Sequence, residues 1–190
     1  MGKKDGRTMS EQKETLIVGG GCFWCTDAVF SSLDGVESVE PGYAGGRTEY
    51  PTYEEICQGG TGHIEVVRVT FDPSRIQAEQ LLEVFFASHD PTSRDRQGND
   101  VGEQYRSVIF YASEAQHVAA LAVRDRLQAE GLTDGVPIVT EILPAPVFWP
   151  AESEHADYFA RNPWQGYCQF VIAPKVSAMR KKFARLQRSE

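Results

Sequence analysis

Two closely spaced cysteines and one glutamate on an apolar strand are the groups in this chain whose placement most invites chemistry. Cys22 and Cys25 form a C-x-x-C within Gly19-Gly20-Gly21-Cys22-Phe23-Trp24-Cys25. The stretch follows the apolar run Leu16-Ile17-Val18 and precedes an amphipathic segment, so it reads as a strand, a tight glycine turn and a helix start. A thiolate there faces the free N–H groups of the helix's first turn, where the helix dipole favours negative charge, and is expected to be acidic and nucleophilic. The pair also allows a local disulfide, as in a thiol–disulfide oxidoreductase. The plainer alternative is two buried cysteines acting as small hydrophobes. A further reading is zinc: Cys22, Cys25, Cys57 and His63 supply a Cys₃His set, although the interval from Cys57 to His63 matches none of the usual knuckles. Outside that set Cys57 reads as structural.

Glu65 lies on Ile64-Glu65-Val66-Val67-Arg68-Val69-Thr70-Phe71, the clearest strand of the chain, closed by Asp72-Pro73. The period-2 faces set Glu65 beside Val67, Val69 and Phe71. Desolvation on that face disfavours the charged carboxyl, raises its pKa and keeps a proton available near neutral pH. The alternative is a strand-end glutamate that turns to solvent. Phe23 and Trp24 suit an apolar substrate group beside the cysteine, or fill the core. Asp100 falls in the turn-rich Arg96-Gln97-Gly98-Asn99-Asp100-Val101-Gly102, where aspartate commonly forms turns. Tyr53 and Tyr105 read as core residues with satisfied hydroxyls before catalytic donors, and His155 as a packed, hydrogen-bonded helix residue before a base.

These residues need a scaffold of strands and helices. Phe23, Ala28, Phe30 and Leu33 share the inner side of a short first helix ending at Asp34-Gly35, and Val36 to Tyr43 is a strand followed by a Gly- and Pro-containing loop. A helix from about Ala78 sets Leu81, Leu82, Phe85 and Phe86 on one side and stops at His89-Asp90-Pro91. Arg106 to Tyr111 is a strand. Ser113-Glu114-Ala115-Gln116 has a capping-box pattern opening a helix with Ala115, Ala119, Ala122, Val123 and Leu127 inside. Pro137 to Leu143 is a strand, Ala151 to Ala160 a short helix, and the chain from Arg161 is irregular apart from the basic segment Lys175 to Arg188. Without strict βαβα alternation the fold class is α+β, a mixed sheet with helices against it and long functional loops.

At 190 residues the chain suits one well-cored domain, which buries roughly 70% of its unfolded surface. Residues 1–14 are polar, lack a signal peptide's apolar core and read as a disordered extension, leaving 15–190 as a single domain. No apolar run approaches the ~20 residues of a membrane span. A net charge of −8 argues against a nucleic-acid partner, and the four cysteines do not form a secreted disulfide framework. A cytoplasmic, redox-active protein is expected.

Gly21-Cys22-Phe23-Trp24, Pro51-Thr52-Tyr53-Glu54-Glu55-Ile56-Cys57, Gly62-His63-Ile64-Glu65, Gln97 to Ser107 and Asn162-Pro163 with Gly166-Tyr167-Cys168 together resemble the A-type peptide-methionine sulfoxide reductases, in order from about Thr15 to Cys168. The resemblance implies a ferredoxin-like, two-layer α+β core and reduction of the S epimer of methionine sulfoxide, free or in proteins, by a monomer. It further implies Cys22 as nucleophile, Phe23 and Trp24 as a cage for the sulfoxide methyl, and Glu65 as the acid. Tyr53 and Tyr105 become donors to the sulfoxide oxygen, and Asp100 helps hold the substrate. Cys22 ends as a sulfenic acid, a second thiol condenses with it, and thioredoxin reduces the disulfide; no metal or bound cofactor is implied. Cys25 stands where many members have glycine and Asp27 where they often have glutamate. Cys168 matches the resolving position in Gly-Tyr-Cys, but the tail after it lacks the glycine-rich run and further cysteine of some members. Cys168 and Cys25 therefore both stand as resolving cysteine.

Overall fold

The computed structural model describes residues 12–189. The chain runs β1 (Glu14–Gly20), α1 (Phe23–Ser31), β2 (Val36–Ala44), α2 (Tyr53–Gln58), β3 (Ile64–Phe71) and α3 (Ala78–Ala87). A two-stranded hairpin, β4 (Arg96–Gln97) with β5 (Asp100–Val101), leads into β6 (Ser107–Tyr111), α4 (Glu114–Ala129), β7 (Glu141–Pro144), β8 (Trp149–Pro150), α5 (Tyr158–Arg161) and α6 (Ala173–Lys182). The main sheet has the order β7-β6-β1-β3-β2-β8. Only its β6–β7 pair is parallel. In its middle, β1-α1-β2 straddles β3 and β3-α3-β6 straddles β1. These two interleaved βαβ units are the ferredoxin-like arrangement.

The sheet buries both faces, which is why β1 and the first half of β3 read as nearly continuous apolar runs. On one face Leu16, Val18, Val67, Val69, Phe71 and Ile109 pack with Val29 and Phe30 of α1, Leu81 and Phe85 of α3, Ala120 and Val123 of α4, and Val176 of α6. On the other, Ile17, Ala44, Ile64, Val66, Val108 and Phe110 form a smaller cluster against Phe148. The alternation that places Glu65 with Val67 and Val69 points its carboxyl toward the helical layer. A side chain at Gly19 would press on the Glu65 carbonyl oxygen, 2.8 Å from an added Cβ, so β1 and β3 come together here only with glycine.

Several local readings shift. In α1, Val29 is buried and Ala28 only half-buried. In α4 the buried residues are Gln116, Ala119, Ala120 and Val123, while Ala115 and Ala122 face out. The rotation follows Gln116: Ser113 accepts its N–H, but its amide reaches past the helix end to Ala112 N–H and Thr15 C=O instead of closing the capping box. The single helix expected over 151–160 is broken, because Asp157 adopts a left-handed conformation (φ 50) between a 3-10 turn, Ser153–His155, and α5. After Arg161 the chain is also more regular than its sequence suggests. A π-helical turn, Cys168–Ile172, runs directly into α6. Cys168, Ile172 and Val176, four residues apart, are its buried side. The expected disordered extension falls largely on residues 1–11, outside the described residues; the first strand starts at Glu14. Among the described residues no helix is long and apolar enough to cross a membrane.

Candidate active site

The end of β1 turns at Gly21 (φ 95), and Cys22 becomes the N-cap of α1. Of the N–H groups in the helix's first turn, that of Trp24 reaches the Cys22 sulfur. That of Phe23 instead donates to Glu65 Oε2 at 3.1 Å. Glu65, opposite Tyr43 in the β2–β3 register, is 1% exposed. Burial pushes its carboxyl up to about 8, the negative charges of Asp100 and Cys25 push the same way, and only the Phe23 N–H opposes. At neutral pH Glu65 therefore carries a proton.

Cys22 and Cys25, one helical turn apart, hydrogen-bond to each other. The acidic Cys22 expected at a helix start is not what this environment gives. The bond to Cys25, then burial, then the charge of Glu65 hold the Cys22 thiol well above its ordinary range. The acidic partner is Cys25, lowered to about 7 chiefly by the Cys22 hydrogen bond, with Lys175 and Tyr167 assisting against burial. The helix-terminus effect is real at Trp24 N–H but is the smallest influence on Cys22, since Glu65 has taken the adjacent donor.

Above the thiols stands an aromatic wall. The Phe23 ring is stacked 6.4 Å from Tyr53 and lies 5.7 Å from Tyr43. Trp24 stacks almost parallel on Tyr158 at 3.8 Å and meets the edge of Tyr167 at 5.9 Å. Tyr53 opens α2, whose N-terminus is fixed by a reciprocal capping box between Thr52 and Glu55. Tyr105 ends the 3-10 turn Glu103–Tyr105. Burial raises both phenols above their ordinary range, and the negative charge of an ionised Glu65 pushes both the same way. Asp100, on β5, accepts the Tyr167 hydroxyl at 2.8 Å. The same hydroxyl is 3.8 Å from Cys25 Sγ. Cys168 is fully buried at the start of the π-helical turn, its thiol raised by burial and by the charge of Cys25. All four cysteines are free.

Cys22, Cys25, Glu65, Phe23, Trp24, Tyr53, Tyr105 and Asp100 thus gather around one end of α1. The zinc set does not assemble: His63 accepts Gly46 N–H on Nδ1 and bonds Thr48 C=O through Nε2, and Cys57 is exposed on α2. Sequence reasoning missed Tyr167, which Gly-Tyr-Cys conceals behind its cysteine, and passed over Glu152 and Tyr158, while His155 is packed and hydrogen-bonded as expected. His155 is 3% exposed and packs among Phe23, Trp24 and Tyr53. The Glu-x-x-His spacing in Glu152-Ser153-Glu154-His155 was the available signal.

Two thiols that share a proton, next to a carboxyl that keeps its own, suit a redox enzyme that works through cysteine sulfur and must protonate what it reduces. Comparison with known proteins makes that class specific. The family model described as Peptide methionine sulfoxide reductase matches residues 14–187. Peptide methionine sulfoxide reductase MsrA of Ralstonia nicotianae is 54% identical over 187 residues, covering 95% of this chain and 97% of that protein. Among solved structures, methionine sulfoxide reductase A of Corynebacterium diphtheriae superposes with a TM-score of 0.77 at 38% identity, over 83% of this chain and 78% of that one. Mxr1 from Saccharomyces cerevisiae in reduced form gives 0.75 at 29% identity, over 83% and 90%. The same yeast protein in complex with Trx2 gives 0.52 at 21% identity, over 80% and 91%, a likeness of fold alone. The chain belongs to the peptide methionine sulfoxide reductase family, and its activity is the reduction of methionine sulfoxide to methionine.

Proposed function

We propose that this chain reduces the S epimer of methionine sulfoxide, free and in proteins, with Cys22 as nucleophile and Glu65 as proton donor. The observation that carries the assignment is the buried, protonated Glu65 bound to the first N–H of the helix that Cys22 caps. A sulfoxide sulfur becomes a good electrophile when its oxygen is protonated, so acid and thiolate must act on one molecule. Cys25 as thiolate takes the Cys22 proton. The Cys22 sulfur attacks the sulfoxide sulfur, and Glu65 gives its proton to the oxygen. The S–O bond is lost from substrate and formed at Cys22, leaving methionine, a Cys22 sulfenic acid, a Cys25 thiol and a Glu65 carboxylate. The substrate sulfur is reduced by two electrons and the Cys22 sulfur oxidised by two. Phe23 and Trp24 cage the methyl group, Tyr53 and Tyr105 donate to the oxygen, and Asp100 orders that side through Tyr167.

The nearest thiol to the sulfenic acid is Cys25, already hydrogen-bonded to Cys22. In this reading it resolves first, giving a Cys22–Cys25 disulfide and water, and Cys168, close enough to feel the Cys25 charge, accepts the disulfide second. A thioredoxin dithiol returns the enzyme to its reduced state. The yeast relative's complex with Trx2 supports that partner. We also read the protein as a cytoplasmic monomer with one catalytic domain from about Thr15, without a bound cofactor or metal. Reduced protein given one equivalent of the S sulfoxide, quenched over time and mapped by mass spectrometry, tests the scheme. Cys22–Cys25 is expected first, then Cys25–Cys168. Cys22→Ser is expected to abolish turnover, and retained turnover in that variant sinks the assignment.

A further inference from the structure

The aromatic wall of the site continues outward beyond its buried rings. Glu65 stands opposite Tyr43, and Tyr43 stands opposite Trp149 on β8, so the three side chains share the helix-side face of the sheet in one cross-strand row. The row rises from the interior to the surface. Glu65 and Tyr43 are buried, Trp149 is half-buried, and the Tyr50 ring, T-shaped to Trp149 at 4.7 Å, is 79% exposed. Tyr50 is also held in an unfavourable backbone. It precedes Pro51, which biases a residue toward extended conformations, yet its φ is 49, in the left-handed region. The loop around it is fixed on both sides: His63 Nε2–H donates to Thr48 C=O at 2.7 Å, and Thr52 and Glu55 close the capping box of α2. Strained residues that persist between such anchors cluster at active sites and ligand clamps.

We propose that Tyr50, seated on Trp149, is a subsite for an apolar or aromatic side chain of a polypeptide substrate, about three to four residues from the oxidised methionine. The inference rests on the reading of Cys22 and Glu65 as the reacting pair. A sulfoxide held at Glu65 leaves the rest of its polypeptide outside the site, and that polypeptide has to cross the surface around it. Trp149 lies two strands from Glu65, about 10 Å, and the Tyr50 ring is packed against it. An extended chain advances about 3.3 Å per residue, so a span of about 10 to 14 Å is about three to four residues. An exposed aromatic pair offers rigid apolar area with no charge to desolvate, which sets the chemistry it recognises.

Alanine-rich peptides with one methionine-S-sulfoxide, and a single phenylalanine placed in turn at each position on either side of it, test this in single turnover without added reductant. The quantity read is the ratio of the second-order rate constant for each phenylalanine peptide to that for the all-alanine peptide, in which a general change of activity cancels. The native protein is expected to favour phenylalanine about five- to tenfold at about three to four residues from the sulfoxide. Tyr50→Gly suits the left-handed backbone and removes the ring, so it is expected to fold and to bring that ratio to within about twofold of unity. Tyr50→Phe, which keeps the ring, is expected to retain the preference. Ratios near unity throughout for the native protein, a preference confined to the residues adjoining the sulfoxide, or a preference that survives in Tyr50→Gly would overturn the inference. So would a Tyr50→Gly defect seen only when thioredoxin turns the enzyme over, or a change in its mass by sedimentation, since the patch would then serve the reductant or a second copy of the chain. A blocked methionine-S-sulfoxide carries no chain to reach Tyr50. If the native protein reduces neither it nor any peptide, the reading of the reacting pair fails; if it reduces the blocked amino acid and shows no phenylalanine preference, the subsite alone fails.

Discussion

Glu65 should make the protein less stable as pH rises, and Glu65→Gln should abolish that dependence. In the unfolded chain the carboxyl titrates near 4.5, and in the native state near 8. Below about pH 4.5 it is protonated in both states and contributes nothing to the balance. Between the two values the unfolded chain has released a proton that the native protein retains, so each added pH unit favours unfolding; above about 8 both states are ionised and the loss is complete. A gap of about 3.5 units at about 1.4 kcal/mol each amounts to about 5 kcal/mol at full development. Glutamine does not titrate, and its carbonyl can still accept the Phe23 N–H. Urea unfolding of both proteins, with thiols kept reduced, should give a stability difference in favour of the variant that grows by about 1.4 kcal/mol per pH unit between about pH 5 and 8. The slope of the difference is the informative quantity, because the variant's own packing changes shift it only by a constant. A difference independent of pH would falsify the assignment of a buried neutral acid. In the same variant, single-turnover reduction should slow by about 10²- to 10⁴-fold, the range ascribed to a positioned acid.

The pH dependence of single turnover should be bell-shaped, rising through about 7 as Cys25 ionises and falling through about 8 as Glu65 does. In Glu65→Gln the falling limb should vanish, and stopped-flow rates across pH 6 to 9.5 check both. His89, bonded to Phe85 C=O and Ser107 Oγ, is depressed to about 4 by burial. Its unfolded form gains a proton first as pH falls from about 6.5 to about 4, which should remove about 3 kcal/mol of stability over that window. Chemical denaturation of His89→Gln should show that acid sensitivity reduced. Gly46→Ala would set a Cβ against the His63 ring, and overpacking of this kind should lower stability by about 1–3 kcal/mol in thermal unfolding, with retention of the wild-type Tm counting against the contact.

Much of the scaffold was legible because its strands and helices bury one clear face. The period-2 pattern of β3 set Glu65 with Val67, Val69 and Phe71, the face that the structure packs against the helices, and the Leu81-Leu82-Phe85-Phe86 stripe set the buried side of α3. What failed was the chain whose conformation depends on a partner. Gln116 gave up its capping role because Thr15 C=O and Ala112 N–H were within reach. The break at Asp157 is a left-handed residue whose N–H is held by Asp27, on a helix 130 positions earlier. The π-helical turn buries Cys168 and Ile172 against α1, and its four-residue spacing carries too few large apolar residues to stand out.

The site was readable by residue type but not by charge. Glycine turn, helix start and cysteine sufficed to place Cys22, and the same local reasoning made it acid. That inference counts every first-turn N–H as available to the sulfur, whereas Phe23 N–H is committed to Glu65 from a strand 42 residues away. The bond that holds Glu65 in place therefore denies Cys22 one of its stabilising donors, and the charge of Glu65, whenever it ionises, raises the thiol further. In the proposed mechanism the Cys22 proton passes to Cys25, the thiol beside it. A glycine at position 25 would remove that acceptor, so Cys25→Gly should slow the formation of the sulfenic acid itself as well as its resolution. Single-turnover methionine release that matches the wild-type rate at pH 7.5 would show that the Cys22 proton leaves elsewhere.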